Sequence, residues 1–148
     1  MAEPAHIMVL RLVVATAMVL ITVATHGVGL FGLSRLLRLE REHEAHFNFS
    51  PTSPRGIVFT FGLVLGLFII HGMEIWLYAA VYLFVGALPD LHTAVYFSTI
   101  TYATIGFDDD GLARAWQLLA AIEGINGVLL LGWSTAFFVS LIGRFRRS

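Results

Sequence analysis

The sequence predicts an all-α membrane protein: three transmembrane helices, with a short helix and a polar loop re-entering between the second and the third. Three observations predict it. Hydrophobic residues make up 57% of the 148-residue chain and charged residues only 13%, and a soluble domain of that size cannot hide so much apolar surface from water. Three apolar stretches each reach the roughly 20 residues that a helix needs to cross the hydrocarbon core. Between the last two lies a shorter apolar stretch that ends in a glycine-containing acidic run.

The first span covers residues 7–33 and belongs to an N-terminal unit, 1–34. Its apolar stretch exceeds the h-region of a signal peptide, and Arg11 is the only basic residue near it, so it reads as a retained helix. It carries no arginines at three-residue spacing, the mark of a voltage sensor. A polar linker, 35–55, follows with Arg35, Arg38, Arg41 and Arg55. Its first half, 35–46, has the composition of a short surface helix, which Pro51 and Pro54 then break. His43 and His46, beside Glu42 and Glu44, read as part of a solvated face, with a pH- or metal-sensitive linker as the other reading.

Residues 56–148 form the second unit. Its outer helix, 57–88, is longer than a perpendicular crossing requires. Asp90 suits an N-cap, because its carboxylate can accept the free amide protons of a first turn. The stretch 91–103 then reads as a helix of about 20 Å, too short to cross. The run from Thr104 to Gly111 is too polar to continue as a lipid-facing helix. Non-helical backbone survives at membrane depth only where protein buries it or a water-filled cavity meets it, so 91–111 is expected to be re-entrant. The inner helix covers 115–143, and Arg144, Arg146 and Arg147 close the chain.

The arginines orient the protein. Linker and tail share one side and hold most of the basic residues, which the positive-inside rule places in the cytoplasm, leaving the N-terminus and residues 89–114 outside. The expected location is the inner cell membrane, as a multi-pass protein in the lipid bilayer. Arginine without lysine hints at a bacterial source.

Composition also excludes functions. With a net charge of −1 and no cysteine, there is no nucleic-acid footprint, disulfide framework or thiolate site. His71-x-x-Glu74 superficially suggests a ligand pair, but no HExxH motif accompanies it and no serine–histidine arrangement is evident. The chain is not expected to be an enzyme, to take a small-molecule substrate or to need a cofactor.

Polar residues inside the spans come in pairs. His71 and Glu74 share a face of the second span at i, i+3, and Glu123 and Asn126 repeat the spacing in the third. They read either as interhelical glue or as a titratable network coupled to gating, with Asn126 also placed to line a cavity. Gly124, Gly127 and Gly132 permit close helix approach, and a hinge is the other reading. His26 and His92 read as hydrogen-bonded structural residues, and Trp76, Trp116 and Trp133 as packing or interfacial aromatics.

The run Thr101-Tyr102-Ala103-Thr104-Ile105-Gly106-Phe107-Asp108-Asp109 resembles the potassium-channel signature T-x-x-T-[VI]-G-[YF]-G-D. The surrounding order of outer helix, pore helix, filter and inner helix also fits, over about residues 56–144. Within that superfamily the chain is most similar to short bacterial channel-like proteins that carry runs like Glu123-Gly124-Ile125-Asn126-Gly127 and Gly132-Trp133-Ser134-Thr135-Ala136. The first helix lies outside the shared unit.

The resemblance implies a homotetramer around one axis. The carbonyls of Thr104, Ile105, Gly106 and Phe107, with the Thr104 hydroxyl, would replace the water shell of a permeant cation, K⁺ by family and Na⁺ or Ca²⁺ by variation. Two departures stand out. The second filter glycine is Asp108, which either enters the left-handed region or brings its carboxylate into the ion path. In a tetramer Asp108, Asp109 and Asp110 would form carboxylate rings at the outer mouth, which concentrate cations and suit divalent ions. The pore-helix acid that braces the filter in many relatives corresponds to Ile100 here. The implied function is passive cation conduction; the alternatives are a non-selective or divalent-permeable channel and a non-conducting sensor or accessory subunit.

Overall fold

A computed structural model describes residues 5–43, 53–105 and 111–145, and among them every regular element is helical. Helix α1 spans Ala5–His43, α2 Pro54–Phe84, α3 Leu91–Tyr102 and α4 Gln117–Phe145, with one 3₁₀ turn at Arg114–Trp116 leading into α4. Three segments are long and apolar enough to cross a membrane: Ala5–Leu36, Pro54–Phe84 and Arg114–Gly143.

Helix α1 does not stop near residue 34. It runs unbroken through the arginine-rich stretch to His43, so residues 35–43 continue the same helix instead of forming a separate one, although the segment apolar enough to cross a membrane ends at Leu36. Between Gly32 and Pro51 the sequence holds neither glycine nor proline and is rich in Leu, Arg and Glu, all good helix formers. Helix α2 opens on Ser53, whose hydroxyl accepts the Gly56 amide at 3.1 Å, with Pro54 in the first turn where a missing N–H costs nothing. It ends at Phe84, four residues short of the expected boundary, because Gly86 turns the chain at φ 65°.

Asp90 caps α3. It accepts the Thr93 amide at 3.0 Å and the Thr93 hydroxyl at 2.8 Å. At 12 residues α3 is about 18 Å long, much shorter than the other three helices. It packs against both α2 and α4, and α1 packs against the same two from elsewhere, while α2 and α4 themselves meet little. The apolar core at the Asp90 end of the bundle comprises Met18, Tyr78, Tyr82, Phe97, Leu112 and Leu119, all buried, with smaller alanines between them. Large apolar residues such as Leu20, Val28, Phe61, Phe68 and Ile69 point outward, as expected of helices whose solvent is lipid.

Candidate functional site

Burying a carboxylate in a low-dielectric interior is costly unless other groups satisfy it. Among the described residues two are buried, Glu74 and Glu123, with polar side chains arranged around them. Glu74 lies on α2, where it accepts the Tyr102 hydroxyl and faces His26 Nδ1 of α1 at 2.9 Å and His71 Nδ1 at 3.2 Å. His71 Nδ1 is also 2.9 Å from the Tyr102 hydroxyl. On the far side of both rings, Ser134 Oγ of α4 lies 2.9 Å from His71 Nε2 and 3.3 Å from His26 Nε2. Four helices thus meet at one polar knot, in which His26 and Glu74 are fully buried.

Glu123, on α4, takes a second cluster. It accepts the Tyr82 hydroxyl at 2.6 Å and the Ser98 hydroxyl of α3. A third joins α1 to α4, where the Asn126 amide donates to Thr22 Oγ1 at 2.8 Å and to Tyr78 Oη at 3.2 Å. The two i, i+3 pairs therefore serve separate clusters: His71 and Glu74 act together, whereas Glu123 and Asn126 reach different partners. Tyr78, Tyr82, Thr22 and Ser98 were missed by sequence reasoning. A signal existed, since Glu74, Tyr78 and Tyr82 recur every four residues on one face of α2.

The end of α3 carries the motif. The Thr104 amide donates to the Thr101 carbonyl at 3.1 Å and the Ile105 amide to that of Ile100 at 3.0 Å, the paired bonds of a Schellman closure. The closure needs a left-handed residue, and Thr104 fills it at φ 55°. A β-branched side chain is an outlier there, costing about 1–3 kcal/mol. One turn earlier, Thr101 Oγ1 is the only buried side-chain polar atom without a hydrogen-bond partner among the described residues. Both threonines line a groove of about 360 Å³, with Ile100 of α3 and Ala121, Gly124 and Ile125 of α4.

Helix α4 approaches this end of α3 closely at Gly127. A Cβ there would overlap the Tyr102 carbonyl oxygen and lie 2.9 Å from its carbon. At Gly124 a Cβ would meet the Thr101 oxygen at an ordinary 3.6 Å, and at Gly132 it would meet nothing within 4 Å. Arg11 sits 5.9 Å from the Trp116 ring centroid, beside Arg114 at the opposite end of α1 from the arginine-rich stretch. Of the expected filter residues, Thr104 and Ile105 are exposed. Gly106, Phe107, Asp108, Asp109 and Asp110 lie outside the described residues, as does His46 of the linker.

Residues 57–144 match the family model described as Ion channel. No curated protein and no solved structure matches the chain.

Proposed function

The chain belongs to the ion-channel family, and we propose that it passes cations passively through a pore built by four copies around a common axis. The observation that carries the proposal is the Thr101–Ile105 end of α3. It combines a strained Thr104, an unpartnered buried Thr101 hydroxyl and an unfilled groove, inside the matched span.

In this reading α3 is the pore helix and enters the membrane without crossing it. Its C-terminal carbonyls direct partial negative charge toward the ion path. Thr104 begins the filter, with Ile105, Gly106 and Phe107 continuing the carbonyl ladder. The 360 Å³ groove beside Gly124 and Ile125 would then receive a neighbouring copy or open toward the axis. Asp108, Asp109 and Asp110 ring the outer mouth and draw cations in. The linker and the C-terminus lie in the cytoplasm, the N-terminus outside, and the membrane is the inner cell membrane.

The test is flux from liposomes holding the purified protein, with K⁺, Na⁺ and Ca²⁺ under matched gradients, beside Asp108→Gly. K⁺ flux far above Na⁺ flux supports a conventional filter that tolerates Asp108. Comparable K⁺ and Na⁺ flux, or Ca²⁺ entry, assigns the carboxylate to the ion path. Silence from both proteins overturns conduction.

A further inference from the structure

The knot around Glu74 does more than a set of ordinary hydrogen bonds requires. Each histidine ring turns Nδ1 toward Glu74, at 2.9 Å for His26 and 3.2 Å for His71, and Nε2 toward Ser134 Oγ, at 3.3 Å and 2.9 Å. A neutral imidazole has one donor and one acceptor nitrogen, an ionised carboxylate only accepts, and a hydroxyl has one proton to give.

Those rules leave a deficit. With Tyr102 donating to Glu74, both Nδ1 atoms must carry protons to avoid facing lone pairs. Both Nε2 atoms then need a donor, and Ser134 can supply only one. With two neutral rings and an ionised Glu74, one acceptor faces another acceptor in the buried knot. The knot is short of one positive charge, which either a proton or a metal ion can supply.

We propose that the knot is a binding site for a single divalent transition cation of the zinc type, held by His26 Nδ1, His71 Nδ1, the Glu74 carboxylate and Tyr102 Oη. The ligating atoms of the two histidines and Glu74 all lie within 4.8 Å of one another. Zinc bonds of about 2.0–2.1 Å in a tetrahedron place neighbouring donors about 3.3–3.4 Å apart. His26 Nδ1 faces one Glu74 oxygen at 2.9 Å, whereas His71 Nδ1 at 3.2 Å and the Tyr102 hydroxyl face the other, so the metal would sit against both carboxylate oxygens. The 2.9 Å His26–Glu74, 3.2 Å His71–Glu74 and 2.9 Å His71–Tyr102 separations need open by only a few tenths of an ångström, and the short Tyr102–Glu74 contact opens further as the metal replaces its proton. Two imidazoles with oxygen donors suit zinc better than Mg²⁺ or Ca²⁺, which prefer oxygen throughout.

The surroundings fit the same occupant. Once the metal takes both Nδ1 atoms, both Nε2 atoms carry protons and donate to the two lone pairs of Ser134 Oγ, so the mismatch disappears. A serine that fixes the distal nitrogen of each ring is the outer-shell support that metal-binding histidines normally have. When the Tyr102 hydroxyl binds, it gives up its proton to water, so a dication against phenolate and carboxylate leaves the site neutral, as a membrane interior demands. The His71 side chain is 13% exposed, leaving one side of the knot less sealed. The metal would bond α1, α2 and α3 together with α4 behind them, fastening the first helix to the family's shared unit. This site is separate from the proposed ion path, and its test reads metal binding whether or not the protein conducts.

The experiment strips the full-length protein with chelator in detergent, then titrates Co²⁺ followed by Zn²⁺. We expect one Co²⁺ per chain, with the intense visible bands of tetrahedral cobalt, displaced by zinc. Ser134→Ala should weaken binding about 10-fold, at the low end for an outer-shell partner, and loss of a ligand in His26→Gln or Glu74→Gln should cost at least the upper end of that range, about 100-fold. Ser134→Ala removes a single oxygen and keeps the comparison usable if the ligand variants fold poorly. The absence of saturable binding by wild type overturns the proposal, as does equal affinity in a folded His26→Gln. An imidazolium signal in ¹⁵N-histidine spectra of the bilayer-embedded protein, without metal uptake, would also overturn it, because a proton would then supply the missing charge.

Discussion

Replacing Gly127 by alanine perturbs the fold at the point where α4 meets the end of α3. The added Cβ would overlap the Tyr102 carbonyl oxygen and stand 2.9 Å and 3.1 Å from the carbonyl carbon and Cα of Tyr102. These are backbone atoms, so no side-chain rotation relieves the overlap; α3 and α4 must separate by about 1 Å. Overpacking of this kind costs about 1–3 kcal/mol, and a rigid backbone neighbour puts the cost near 3 kcal/mol, a loss of more than a hundredfold in the folding constant. Gly124→Ala is the control, because its Cβ would meet the Thr101 oxygen at 3.6 Å. That substitution should instead gain about 0.5–1 kcal/mol from the lower entropy cost of alanine in a helix. Reversible unfolding in mixed micelles, followed by helix content, measures both. A Gly127→Ala stability within about 0.5 kcal/mol of Gly124→Ala would refute the close approach as the reason for glycine at 127.

Three further outcomes follow from the same geometry. Tyr82→Phe removes the 2.6 Å hydrogen bond to Glu123 and leaves that buried carboxyl with Ser98; the unfolding assay should show a loss of about 1–3 kcal/mol, the cost of leaving a buried acceptor without its donor. Thr104→Gly relieves a left-handed β-branched residue at φ 55° and should stabilise the protein by about 1–2 kcal/mol, whereas Thr104→Val should not. The Asp90 carboxyl is held below the usual aspartate range by hydrogen bonds from the Thr93 amide and then from the Thr93 hydroxyl. Because its folded-state pKa is depressed, the capping contribution is present above the ordinary value near 3.9 and is lost as pH falls through the lower folded value. Acid titration of helix content in bilayers should therefore show a transition below about pH 4 that Asp90→Asn, which caps without titrating, does not share.

Much of the architecture was legible because lipid imposes a simple rule on composition. Three long apolar stretches with charged ends, and a short one opened by Asp90, map onto α1, α2, α4 and α3. The break in α2 before residue 88 and the continuation of α1 beyond 34 were less legible. A turn signal at Gly86 and a run of helix formers at 35–43 compete with a hydropathy pattern that says nothing of either. The site was legible only within each helix. Spacing pairs His71 with Glu74, but it cannot show that His26, 48 residues earlier, completes the pair, or that Ser134, 108 residues beyond His26, stands behind it. Those meetings depend on how α1 is rotated against α2 and α4, which close contacts such as Gly29 on Ile70 and Gly66 on Leu33 help to set.

The distribution of satisfied and unsatisfied groups separates two parts of the molecule. Around Glu74, Glu123 and Asn126, side chains from all four helices close on one another. Around Thr101 and Thr104 they do not: one hydroxyl is buried without a partner, one backbone is strained, and the groove beside them stays open. A folded chain holds such costs only where the surrounding structure over-determines them, and they gather where something else is to be bound. The Glu74 and Glu123 clusters tie α3 to its neighbours through Tyr102 and Ser98, and in the proposed reading α3 acts at its C-terminal end. Thr101→Val separates the two roles: it removes the unpartnered hydroxyl at almost constant volume and should leave stability unchanged or slightly raised. In the liposome assay it should nonetheless change cation flux, because the side chain it alters borders the proposed ion path. Unchanged flux at unchanged stability would place Thr101 outside that path.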